Sequence, residues 1–78
     1  MEPAQTVDPK DACLRVLGEA GSETLHWTVV LDRALTQRLI DPFTTPDVRG
    51  VVVKALATLA KEGRIEKQGP GLYRARTG

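Results

Sequence analysis

Lys54 and Lys61 stand two helical turns apart in an otherwise apolar stretch, and Lys67, Gln68, Arg74 and Arg76 flank a Gly69-Pro70-Gly71 turn. At helical spacing the two lysines share a face. Arg74 and Arg76, two residues apart, point to one side of an extended strand. The chemistry these groups offer is noncovalent. Ammonium and guanidinium groups neutralise phosphates, and a side-chain amide donates to a phosphate or a base edge. Each also has a plainer reading: lysines face water on most helices, and charges along a hairpin edge guard against aggregation.

The remaining reactive residue types have no partners at working distance in the sequence. His26 has no second histidine, cysteine or carboxylate at ligand spacing, so it reads as a packed or capping residue and no metal site is expected. Cys13 falls on an apolar stripe and behaves there as a small hydrophobe. Asp8, Asp11, Asp32 and Glu62 lie at helix starts or beside basic neighbours, where helix electrostatics accounts for them. No Ser/His/Asp or Cys/His arrangement has a supporting context, and the glycine spacing fits no phosphate-cradling loop. The expectation is a protein without catalysis, cofactor, metal or small-molecule ligand.

Seventy-eight residues make one domain, and a domain of that size buries only about 60% of its unfolded surface. Aromatics are 4% of the chain, so the core must come from Leu, Val, Ile and Ala. No apolar run approaches the roughly 20 residues of a membrane span. A single cysteine forms no internal disulfide, which suits a reduced compartment, cytoplasmic or nuclear. The net charge of +1 is unevenly spread. Residues 1–44 carry four basic against seven acidic side chains, and residues 45–78 carry seven basic against three. An anionic polymer would orient toward the second half.

These charges need elements to position them. Residues 1–7 lack periodicity and read as a flexible tail, leaving 8–76 as the folded domain. Asp8-Pro9 starts a first helix that runs to Leu17, with Cys13, Leu14 and Leu17 as its core stripe and Val16 at the margin. Gly18 to Ser22 ends it. Thr24 to Trp27 is a short extended stretch. A second helix, capped at Thr28, carries Val30, Leu31, Ala34, Leu35 and Leu39 at helical spacing and stops at Asp41-Pro42. Phe43 then drops into the core. Thr44-Thr45-Pro46-Asp47 opens a third helix, with a hydroxyl cap, Pro46 in the first turn and Asp47 at the positive end of the dipole. Lys61-Glu62-Gly63 closes it through a left-handed glycine. Arg64 to Lys67 and Leu72 to Ala75 then form a hairpin, with Tyr73 in or near the core.

On the third helix Val48, Val52, Ala55, Leu56 and Leu59 gather on one side. Asp47, Gly50, Lys54, Ala57, Thr58 and Lys61 lie opposite, with Arg49 toward the edge. Gly50 costs roughly 1 kcal/mol against Ala in a helix interior; facing outward, it either admits a close approach by another backbone or is merely tolerated. Helix, strand, helix, helix and hairpin in that order predict an α+β fold, a winged helix-turn-helix of three helices with a C-terminal β-hairpin wing.

Ala20-Gly21 followed by Leu25-His26-Trp27, an amphipathic helix ending in Leu39-Ile40, Thr45-Pro46 at the start of the next, and Gly69-Pro70-Gly71-Leu72-Tyr73 together resemble the HARE-HTH group of winged helices. The match covers roughly residues 10–76, with a connector between the second and third helices shorter than in many members. That group is similar to the N-terminal domain of the RNA polymerase delta subunit, and its members also occur in chromatin proteins and beside restriction and DNA-modifying modules. The resemblance implies DNA contact or docking to the transcription apparatus. Residues 54–65 also look like the last helix and strand of the Z-nucleic-acid-binding winged helices. Their recognition Asn and Tyr are not matched, and that activity is not carried over.

The expected function is therefore duplex-DNA binding in transcription regulation or DNA-associated machinery. Thr45 would offer helix N–H groups to a phosphate. Arg49, Gly50, Lys54, Ala57 and Lys61 would meet the major groove, and Lys67, Gln68, Arg74 and Arg76 the neighbouring backbone or minor groove. The outward helix face lacks Asn and Gln, so base readout is thin. The alternative is a protein-interaction module that docks on a polymerase, nuclease or chromatin partner, or forms a homodimer. Low net charge and an apolar patch of Val29, Val30 and Val53 favour it, and Trp27, if exposed, would anchor it.

Overall fold

A computed structural model describes residues 7–76. Its elements are α1 (Pro9–Ala20), β1 (Leu25–His26), α2 (Trp27–Thr36), α3 (Val48–Lys61), β2 (Ile65–Gly69) and β3 (Leu72–Ala75). The three helices pack on one another, and the strands form an antiparallel sheet in the order β1-β3-β2. Among the described residues, no helix is long and apolar enough to cross a membrane. Of the expected tail, residues 1–6 lie outside the described residues. Val7 belongs to the folded body: its N–H donates to Leu39 O at 2.9 Å, and its side chain packs on the core.

Pro9 occupies the first turn of α1, as its missing donor allows. Ala12, Cys13, Val16 and Leu17 are fully buried. Val16 is thus central rather than marginal, and Leu14 is the half-buried flank. The helix also passes through exposed Gly18 and Glu19 to the half-buried Ala20 instead of stopping at Leu17, because only at Gly21 does φ turn positive.

The short extended stretch is β1, which pairs Leu25 with Tyr73 and His26 with Leu72. α2 follows with no gap. Its cap is His26, whose Nδ1 accepts the Thr28 N–H at 3.3 Å and lies 2.8 Å from the Thr28 hydroxyl. Thr28 is therefore the donor at this terminus and not the cap. Trp27 N–H donates to Gly71 O at 2.8 Å, which ties the hairpin tip to the start of α2.

α2 ends earlier than its apolar periodicity suggests. Arg38 takes the left-handed conformation (φ 59), Leu39 N–H reaches back to Ala34 O at 2.8 Å, and Arg38 N–H to Leu35 O at 3.0 Å. This is a Schellman stop with arginine where glycine is usual. It turns Leu39 and Ile40 into the core from outside the helix. The connector consequently spans residues 37–47, longer than the sequence suggested. Asp41 organises its middle: Oδ1 accepts the Phe43 N–H at 2.9 Å and its carbonyl accepts the Thr45 N–H at 3.0 Å. That turn throws Phe43 outward, 95% exposed, and the core space expected for it belongs to Leu39 and Ile40.

α3 starts at Val48 with Asp47 as its cap, so Thr45 and Pro46 precede the helix instead of opening it. Val52, Ala55, Leu56 and Leu59 are buried, on the stripe that the periodicity predicts. Gly63 (φ 78) supplies the left-handed stop, with Arg64 N–H on Leu59 O at 2.9 Å. The hairpin reverses through Pro70-Gly71 alone. Proline stands at the first central position and a left-handed glycine (φ 73) at the second, as a type II turn requires. The ladder slips by one residue between Lys67 and Gly69, leaving Gln68 as a bulge. Tyr73, on the central strand, is 4% exposed and closes the core against Leu25 and Ile65.

Candidate nucleic-acid interface

Because Val52, Ala55, Leu56 and Leu59 turn inward, the opposite side of α3 carries Gly50, Lys54, Ala57 and Lys61 to the surface. Val53, at 38% exposure, borders them. Small Ala57 separates the two long cations, and Gly50 precedes them one turn nearer the start of the helix. Lys54 also lines an open groove of about 390 Å³ with Val51, Thr58 and the start of α1 at Asp8, Pro9 and Lys10. Arg49 is not part of this face. It lies about 140° around the helix from Lys54 at 100° per residue. There it borders a second groove of about 410 Å³, formed with Trp27, Leu31, Asp32 and Leu35 of α2.

The start of α3 differs from the phosphate cradle expected there. Thr45 sits in the connector with its N–H committed to Asp41 O, so it offers no helix-terminal donor. Asp47, itself left-handed (φ 51), folds its carboxylate back over the first turn and accepts the Gly50 N–H at 3.3 Å. A Cβ on Gly50 would fall 2.9 Å from Asp47 Cγ and closer still to Oδ2. Gly50 is therefore small because a capping carboxylate lies against it. An acid at this end of the dipole is locally favourable, and it occupies the position a phosphate would need.

The hairpin cations are also engaged. Glu66 and Arg74 are direct cross-strand partners and form an ion pair. Gln68 Nε2 donates to the same Glu66 oxygen, Oε1, at 3.2 Å. The Arg74 hydrogen bond and charge hold the Glu66 carboxyl below the usual carboxylate range; Arg76 and Gln68 add to this, and partial desolvation opposes it. Arg76 Nη1 donates to Gly63 O at 2.7 Å, anchoring the residue after β3 to the turn after α3. Lys67 pairs in register with Tyr73 and so belongs to the other face of the ladder, exposed at its edge strand.

Two further cations converge where α3 ends. Glu62 accepts Lys10 at 3.1 Å and lies 3.8 Å from Arg64. These pairs are substantially exposed and contribute little to stability. They do remove net charge from the region between Lys61 and the hairpin.

Of the residues singled out in the sequence, the structure brings together Gly50, Lys54, Ala57 and Lys61, and separately Gln68, Arg74 and Arg76. Thr45, Arg49 and Lys67 point elsewhere. Sequence reasoning missed Asp47 as the residue that requires Gly50, and Glu66 as the centre of the hairpin cluster. The apolar patch is also thinner than expected, because Val30 is fully buried and only Val53 is openly exposed. The sequence matches no family model, and no curated protein or solved structure is significantly similar to it.

Proposed function

We propose that this domain is a winged-helix module that binds duplex DNA weakly and mainly through the phosphate backbone, in transcription regulation or other DNA-associated machinery. The element order and the β1-β3-β2 sheet suit that fold, with β2 and β3 as the wing beside the end of α3. The observation that carries the reading is the exposed α3 face, on which Lys54 and Lys61 flank the small residue Ala57, beyond the turn that the Asp47 carboxylate covers at Gly50. Such a surface lets a helix lie close to a groove while its lysines reach phosphates on the rims.

The same surface argues for low sequence specificity. It has no amide or guanidinium placed to read base edges, since Arg49 lies beside α2. With Glu66 holding Arg74, and Glu62 holding Lys10 and Arg64, the nonspecific component is modest too. Lys54→Glu combined with Lys61→Glu should abolish binding to a random duplex at low salt. Wild-type affinity should fall with added salt on a shallow slope of a few phosphate contacts. Unchanged affinity in the double variant removes the α3 face from the account.

A second reading rests on Phe43, 95% exposed, and on the groove of Trp27, Leu31 and Leu35. An exposed aromatic and an apolar-walled groove each suit docking of a protein partner, such as a polymerase, nuclease or chromatin component. Phe43→Ser should leave DNA affinity unchanged while weakening such a complex.

A further inference from the structure

On the DNA-binding reading above, Arg74 and Gln68 are hairpin groups that would meet phosphate, and both already have a partner within the hairpin. Glu66 lies directly opposite Arg74 on the face of the ladder away from Tyr73, and one of its oxygens takes both the Arg74 guanidinium and the Gln68 amide. Two of the side chains on that face are thereby turned toward a carboxylate. Arg76 differs, because its partner is the Gly63 carbonyl, which carries no formal charge. Both members of the ion pair remain accessible to solvent, with side-chain exposures of 37% and 38%. An exposed pair of this kind is readily exchanged for another anion.

We propose that Glu66 is an affinity-setting residue of the hairpin: it occupies Arg74 and Gln68 in competition with a backbone phosphate and holds DNA binding down. Entry of a phosphate requires the guanidinium to leave the carboxylate or to share its donors, and the carboxylate charge repels the phosphate as it arrives. Glu66 carries that charge throughout the neutral range, as any glutamate does, and the Arg74 hydrogen bond and charge extend it to lower pH. The inventory of cations on the wing thus overstates its grip.

The test measures random-duplex affinity against salt for the wild type, Glu66→Gln, Arg74→Gln and the double variant. Glu66→Gln is expected to bind about two- to fivefold tighter, the exchange value of an exposed ion pair. Its salt slope should steepen by about one contact. In the Arg74→Gln background the gain should vanish. Glu66→Thr, which also removes the charge and suits a strand, should reproduce the effect if the glutamine variant folds poorly. Wild-type binding with no gain in either Glu66 variant overturns this proposal alone. A gain that survives Arg74→Gln does so too, because it then reflects net charge and not the pair. Absence of binding by the wild type and by both Glu66 variants overturns the DNA reading itself, and this proposal with it.

Discussion

Asp47 and Gly50 are a matched pair: the carboxylate of one fills the space that a side chain on the other would take, and accepts its N–H at 3.3 Å. Neither residue is well suited to its place alone. A left-handed aspartate is unfavourable, and glycine in a helix costs roughly 1 kcal/mol against alanine. Together they cap α3. Gly50→Ala, normally stabilising in a helix, should therefore destabilise this protein by about 0.5–2 kcal/mol, the value of a lost cap. In an Asp47→Gly background the same change should become neutral or stabilising. Urea denaturation of the four proteins measures the sign reversal; additive effects would dissolve the pair.

The end of α2 yields a second test of sign. Arg38 holds φ 59 at a Schellman stop, a conformation that costs a non-glycine residue about 1 kcal/mol. Arg38→Gly should raise stability by about 0.5–1 kcal/mol. If the helix instead ran on to Leu39, as its apolar spacing suggests, the same substitution would lower stability by about 1 kcal/mol. One denaturation curve separates these.

Cys13 is fully buried in α1, and burial pushes its thiol from 9.0 up to about 12. The folded thiol should resist alkylation at neutral pH, reacting only on unfolding. The proton is held more tightly in the folded state, so this stability is intact below the unfolded value and is lost as pH climbs toward the folded one. Relative to Cys13→Ala, the wild type should lose on the order of 1 kcal/mol by pH 10. Parallel pH profiles for the two proteins would contradict the burial argument.

Truncation should cost much at Leu56 and little at Phe43. Leu56, with no exposed surface, should cost about 2–5 kcal/mol as Leu56→Ala through lost contacts and the cavity left behind. Phe43→Ser should fall within about 0.5 kcal/mol of the wild type, as surface changes do. A large loss at Phe43 would restore it to the core.

The three helices, the minor strand and the hairpin were legible because each rests on local signals: Pro9 in a first turn, the Val52-Ala55-Leu56-Leu59 stripe, Gly63 as a stop, and Pro70-Gly71 between alternating segments. What was not legible depends on choices made between distant segments. α2 stops at an arginine in a glycine conformation because Leu39 and Ile40 gain burial by turning inward. Phe43 loses its core place for the same reason.

The hairpin shows the limit most clearly. Running an unbulged ladder back from the Pro70-Gly71 turn would set Lys67 opposite Arg74 and send Glu66 to the core face with Tyr73. Bulging Gln68 shifts the register by one, buries Ile65, and brings Glu66 across from Arg74. A one-residue slip inverts which side chains face outward, and no short-range pattern in residues 64–76 announces it. The lysines of α3 were placed correctly because helical periodicity alone determines their face. The partners of the hairpin arginines depend on register, which periodicity leaves open.

Titrating isotope-labelled protein with random duplex DNA at low salt, and following backbone amide resonances, tests the central claim most directly. Shifts centred on Gly50, Lys54, Ala57 and Lys61 and extending into the hairpin, weakening as salt is added, are the predicted result. Resonances that stay fixed at millimolar DNA, or that move only along α2 and the Phe43 connector, would contradict it.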